Sequence, residues 1–137
     1  MYGHGSTSAY RDTEILSSSA ERLVPVLYEH LLVSLKRGAM QVRDRDIAGK
    51  AESLTRAQDI VAELMASLDF EAGGDLAGAL AALYGYRMKE ILAAGRGLDA
   101  ARLDQVGTMV ASLHAAWDEA ARTAEPASAP RGGRREA

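Results

Sequence analysis

The chain contains no cysteine. Disulfides, thiolate nucleophiles and cysteine-ligated metals are excluded together. Aromatic side chains are scarce, with one Phe, one Trp and five Tyr among 137 residues. β-Branched residues are few and alanine is abundant. That balance favours helix and argues against a sandwich or barrel. There is no excess of positive charge either, since 16 Lys and Arg face 19 Asp and Glu for a net charge of −3. A nucleic-acid backbone is therefore not an expected partner. No apolar run approaches the roughly 18 residues that span a bilayer, so no membrane insertion is expected. The stretch Met1–Ser8 lacks the basic and apolar regions of a secretory signal, and the expected location is the cytoplasm.

The length suits one domain with one core. Residues 1–17 are polar and rich in Gly, Ser and Thr, and read as a flexible arm. Residues 124–137, ending in Arg131-Gly132-Gly133-Arg134-Arg135-Glu136-Ala137, read as a disordered tail that cannot bury enough surface to offset chain entropy. Residues 18–123 carry helical periodicity broken near 43–46, 69–75 and 95–99. Four segments joined by short connections predict an all-α fold, an antiparallel up-down four-helix bundle. Ser18 with Glu21 reads as a capping box, and Asp46, Asp75 and Asp99 as caps of the later helices. Leu98 and Leu103 are placed as a hydrophobic staple, and Gly95 fits a left-handed helix end. Pro25 lies six or seven residues into the first helix on this reading, which predicts a kink or a later start.

Three helices show core stripes of ordinary width. These are Leu54, Ile60, Val61 and Leu64 in the second, Leu76, Leu80, Leu83, Tyr84 and Ile91 in the third, and Leu103, Val106, Val110, Leu113 and Trp117 in the fourth. The first helix differs. Leu23, Val24, Val26, Leu27, Tyr28, Leu31, Leu32, Val33 and Leu35 cover well over half its circumference, whereas a bundle corner needs an arc of only about 100°. Either the first helix is simply the most buried member of the bundle, with residues 1–17 folded over its spare face, or that face docks another chain, and both hold if the arm is a removable lid.

Catalytic constellations are lacking. Glu-x-x-His is absent, because Leu27 and Ala111 stand three residues before His30 and His114. The His-Glu-x-x-His, P-loop and Gly-x-Ser-x-Gly patterns are absent too. Leu80 occupies the position where a calcium loop starting at Asp69 requires Glu. A phosphotransfer bundle would place Lys-Gly three and four residues after its histidine. Val33-Ser34 and Trp117-Asp118 stand there instead. The chain is not expected to be an enzyme, and no cofactor or metal is implied.

Several pieces, in order, resemble a known family. They are Met1-Tyr2 with Ala9-Tyr10, the run Leu23-Val24-Pro25-Val26-Leu27-Tyr28-Glu29, and Lys50 with Ala57–Leu64. The most specific is Ser67-Leu68-Asp69-Phe70-Glu71-Ala72-Gly73-Gly74-Asp75-Leu76-Ala77 with Leu83-Tyr84-Gly85-Tyr86-Arg87-Met88. Ala116-Trp117-Asp118-Glu119-Ala120 closes the pattern. Over residues 1 to about 120 the sequence resembles the flagellar export chaperones of the FliS family. Pro25, Ala20 and Thr7 depart from the family pattern.

The resemblance implies a cytosolic chaperone that binds the disordered C-terminal helical segment of flagellin. It would prevent premature polymerisation and deliver the client to the export gate protein FlhA. Combined with the apolar stripes, it makes Leu27, Leu31, Leu35, Ile60, Leu64, Leu83, Met109 and Leu113 the candidate client-binding residues, with core packing as each one's alternative. Thr7 and Tyr10 are the candidate arm residues for lid and gate contact. A monomer or weak homodimer is expected. The alternative function is a four-helix phosphotransfer or dimerisation adaptor module.

Overall fold

A computed structural model describes Ala20 and residues 22–128, with side chains as far as residue 123. Four helices follow one another: α1 (Leu23–Arg43), α2 (Ile47–Ala66), α3 (Phe70–Arg96) and α4 (Ala100–Ser128). Three-residue connections at 44–46, 67–69 and 97–99 force each helix to run back along its predecessor. α1 packs closely against α2 and α4, and α3 packs more loosely against the same two helices, so α1 and α3 stand on one diagonal of the bundle. The described residues thus form the expected antiparallel four-helix bundle. The backbone of α4 stays helical to Ser128, past the boundary placed at 123.

Local chemistry explains most boundaries. Asp46 and Asp99 cap α2 and α4 as expected, accepting from the backbone N–H of Gly49 at 2.9 Å and of Arg102 at 3.0 Å. The cap of α3 is Asp69 rather than Asp75, and accepts from Ala72 N–H at 3.0 Å. The stretch expected as an acidic loop is instead a turn of helix, broken from the rest of α3 at Gly74 (φ 53°, ψ −129°). Only glycine adopts that backbone readily. Gly95 is not a left-handed terminus either: it is helical and buried, and the left-handed residue is Leu98, at φ 53°. Leu98 remains half exposed while Leu103 is fully buried.

α1 begins at Leu23, so Pro25 falls in the first turn, where a missing N–H costs little. The proposed capping pair Ser18 and Glu21 lies outside the described residues.

The core is built from Val24, Tyr28, Leu31 and Leu35 of α1, Val61 and Leu64 of α2, Ile91 of α3, and Leu103 and Val106 of α4. Leu54 of α2 sits between two glycines on the diagonal helices. A Cβ at Gly38 would lie 2.6 Å from Leu54 Cδ2, and one at Gly95 would lie 2.9 Å from Leu54 Cδ1. A Cβ at either position would displace the Leu54 side chain, so both glycines leave the room that it fills. No helix among the described residues is long and apolar enough to cross a membrane.

Candidate functional site

Polar groups inside the bundle meet at Tyr28, which is fully buried. The Trp117 indole N–H donates to the Tyr28 hydroxyl at 2.7 Å, and the Tyr28 and Tyr84 hydroxyls share a further hydrogen bond of 2.7 Å. The chain crosses from α4 through α1 to α3 and ties the diagonal together. Burial pushes both phenols above their ordinary range, outweighing at Tyr28 the hydrogen bonds from Tyr84 and Trp117 that favour the phenolate. Neither phenol is a ready acid or base at neutral pH.

A second polar group fastens α3 to α4. Glu90 accepts from Arg87 on its own helix and from Arg102 Nε at 3.0 Å. Burial alone would raise the Glu90 pKa, but the two guanidinium groups together hold it below the ordinary carboxylate value. Arg87 also reaches the Met109 sulfur at 3.7 Å. These contacts set the register: running back along α3 from Glu90 corresponds to running forward along α4 from Arg102.

That register lines up two apolar rows. Leu76, Leu80 and Leu83 occupy positions i, i+4 and i+7 of α3. Met109, Leu113 and Trp117 occupy i, i+4 and i+8 of α4. Leu76 is 54% exposed and Met109 41%, and the other four are half-buried. Leu80, Leu113 and Trp117 rest on the core with their outer edges open. The seam between α3 and α4 is therefore apolar and incompletely filled.

The other flank of α3 has a groove of about 190 Å³ against α2, lined by Ala51, Leu54, Thr55, Gln58, Ile91 and Leu92, with Lys50 at one end. Gln58 donates to the Met88 carbonyl at 2.9 Å, and its own side-chain oxygen is buried without a partner. α3 thus shows unfilled apolar surface on both sides.

The expected client residues divide. Leu27, Leu31, Leu35, Ile60 and Leu64 are buried and form the interior of the bundle. They line no open surface, which corrects their assignment in the free chain. Of the two readings of the α1 apolar arc, the structure shows the one in which α1 is the most buried helix. The outward residues are Leu23, Val26, Val33 and Met40. Periodicity gives the width of an apolar arc, and only packing says which part of it is used. Leu83, Met109 and Leu113 do stand together, along the α3–α4 seam. Leu76, Leu80 and Trp117 complete this surface. Their signal was present in the stripes but is indistinguishable there from core. Thr7 and Tyr10 lie outside the described residues.

The histidines take structural positions. His114 lies 3.6 Å from Glu29 and 3.8 Å from Asp118, carboxylates that repel an incoming phosphoryl group. His30 is exposed beside Arg37 and Arg56 in a polar recess between α1 and α2. No group of three His, Asp or Glu among the described residues is placed to hold a metal ion.

The family described as "Flagellar protein FliS" matches residues 3–124. The flagellar secretion chaperone FliS of Escherichia coli is 31% identical over 124 residues, covering 87% of this chain and 91% of that protein. The protein of the same name in Vibrio cholerae is 30% identical over 119 residues, covering 84% and 88%. The one in Bacillus subtilis is 26% identical over 113 residues, covering 82% and 84%. The match takes in α1, α2, α3 and α4 as far as residue 124, including the α3 and α4 residues that form the open seam, and the chain belongs to the FliS family of flagellar secretion chaperones, which are not enzymes.

Proposed function

We propose that this chain holds the C-terminal segment of flagellin in the cytoplasm, keeps it from polymerising, and passes it to the export gate protein FlhA. The observation that carries this reading is the unfilled apolar surface on both flanks of α3. A disordered amphipathic segment loses about 1–2 kcal/mol of backbone entropy per residue when ordered. Burying each large apolar side chain returns about 1.5–3 kcal/mol. A preformed seam of Leu76, Leu80, Leu83, Met109, Leu113 and Trp117 is an apolar strip of the kind that the apolar face of a short amphipathic helix covers. The groove against α2 would take a continuation of the same segment around α3. Thr7 and Tyr10 precede the bundle, where they can cover the seam in the free chaperone and meet the gate when a client displaces them.

The test is substitution on the open seam against substitution in the core. Leu83→Asp and Leu76→Asp should each weaken binding of flagellin's C-terminal peptide at least tenfold by calorimetry. Their circular dichroism and thermal midpoint should stay those of the parent. Leu31→Asp, by contrast, puts a charge among buried neighbours and should unfold the bundle. Unchanged affinity in both seam variants would remove the reading.

A further inference from the structure

The recess between α1 and α2, about 680 Å³ in volume, is used neither by the core nor by the reading above. Arg37 lines it from α1 and Arg56 from α2, and among the described residues neither makes an ion pair. Glu52 stands four residues before Arg56, the ordinary place for a partner on a helix, yet it is unpaired too among the described residues. Two guanidinium groups on one recess repel each other unless an anion lies between them. The whole chain carries a net charge of −3, so this positive charge is local. The floor of the recess is a second, independent sign. Ser34 and Ser53 are the buried polar residues among those described, 2% and 8% exposed, and both line it. The Ser34 hydroxyl has no hydrogen-bond partner among the described residues. The Gln41 amide N–H group donates to the carbonyls of Gly49 at 2.9 Å and Arg37 at 3.1 Å, and to Ser53 Oγ at 2.7 Å. Ser53 therefore accepts from Gln41 and keeps its own proton to donate.

We propose that this recess is a binding site for a phosphate group carried on a small polar molecule. A phosphate dianion presents more acceptor oxygens than one guanidinium fork satisfies, and here two forks and two hydroxyls supply the donors. A carboxylate has only two oxygens and would leave one arginine unused. Exposed His30 adds a further N–H at the rim. The recess is roomier than a lone phosphate ion requires and falls within the usual range of small-molecule sites. Its lining has no aromatic ring and a single aliphatic side chain, Val33, so a nucleobase finds nothing to stack on. Hydroxyl groups of a sugar, by contrast, can donate to the Glu52 carboxylate, which also repels a second phosphate. A sugar monophosphate is the class that fits. α3 contributes no residue to the recess, so it is separate from the client seam. The proposal does not rest on the client reading, and a chain that bound no flagellin would still take the phosphate.

Heteronuclear NMR titration of the full chain with glucose 6-phosphate, at constant ionic strength, should move the signals of Arg37, Ser53 and Arg56 to saturation. The dissociation constant should be about 1 mM or tighter. Arg37→Ala and Arg56→Ala should each weaken binding at least tenfold with unchanged circular dichroism, since both side chains are exposed. Arg37→Lys keeps the charge and loses the fork, and should weaken it as well. Lys89→Ala removes an exposed positive charge from α3 and should leave binding as it was. Ser34→Ala should weaken binding several-fold without lowering the thermal midpoint, because a buried hydroxyl with no partner adds nothing to the fold. Inorganic phosphate and unphosphorylated glucose complete the series. Tighter binding of the ester than of inorganic phosphate supports the sugar monophosphate, and equal affinity keeps the phosphate site but gives it to the free ion. Three results would each overturn the proposal: no saturation by either phosphate, glucose binding as well as its phosphate ester, or Lys89→Ala weakening binding as much as Arg37→Ala.

Discussion

At the scale of single residues, Tyr28 shows how a buried polar atom is tolerated. Its ring fills the core, and its oxygen accepts from Trp117 while sharing a proton with Tyr84. Tyr28→Phe removes the centre of the chain and leaves two polar groups without their partner. It should destabilise the fold by about 1–3 kcal/mol in denaturant titration. Adding Tyr84→Phe removes one of those stranded groups, so the double variant should cost less than the sum of the singles. The same pair governs alkaline stability. An unfolded tyrosine loses its proton near pH 10.0, while the buried phenols keep theirs to higher pH. Above pH 10 the folded chain therefore holds more protons than the unfolded one. Its stability is full below that pH and should fall as pH rises, by up to about 1.4 kcal/mol per pH unit per tyrosine. Thermal melts between pH 9 and 11 should show a steeper decline for the parent than for the double Phe variant. None of this chain of hydroxyls was legible in the sequence. Tyr28 was visible only as an apolar position, and its partners are 56 and 89 residues away.

At the scale of elements, the connections show where local rules suffice. Asp46 and Asp99 were readable as caps because capping needs only a carboxylate and the N–H three residues on. The connection between α3 and α4 was readable in place but not in conformation. Gly95 has the identity suited to a left-handed end, yet the packing of Leu54 claims it, and Leu98 takes the left-handed turn instead. A leucine there carries about 1–2 kcal/mol of backbone strain. Leu98→Gly should therefore stabilise the bundle by up to about 1 kcal/mol, since the half-exposed side chain gives up little packing. A thermal midpoint that falls would show that the leucine's contacts outweigh its strain. The break at Gly74 belongs to the same scale: a pair of glycines announced a turn, but the turn lies inside α3 rather than before it.

At the scale of the molecule, the bundle is unequal. α1 is packed closely by two neighbours and supplies the core, while α3 is held by the same two with apolar flanks left over. On the proposed reading the client surface comes from this incomplete packing around α3. If residues before α1 cover that surface in the free state, deleting residues 1–16 should leave the affinity for flagellin's C-terminal segment equal or higher. Calorimetry on the truncated chain would show it, and a weaker affinity would mean that those residues belong to the site.

Helix number, the order of the elements, two of the three predicted Asp caps and the exclusion of thiol and basic-surface chemistry followed from the sequence. Each depends on composition or on residues within a turn of one another. Family membership was legible for the same reason, in short motifs spaced along one chain. The sorting of apolar residues into interior and surface was not. Leu31 and Leu83 look alike in any stripe, and Leu31 is buried only because two helices close over it, while Leu83 stays open because α3 is less fully embraced. Burial depends on the area that neighbouring helices cover, and that exists only once the bundle has assembled.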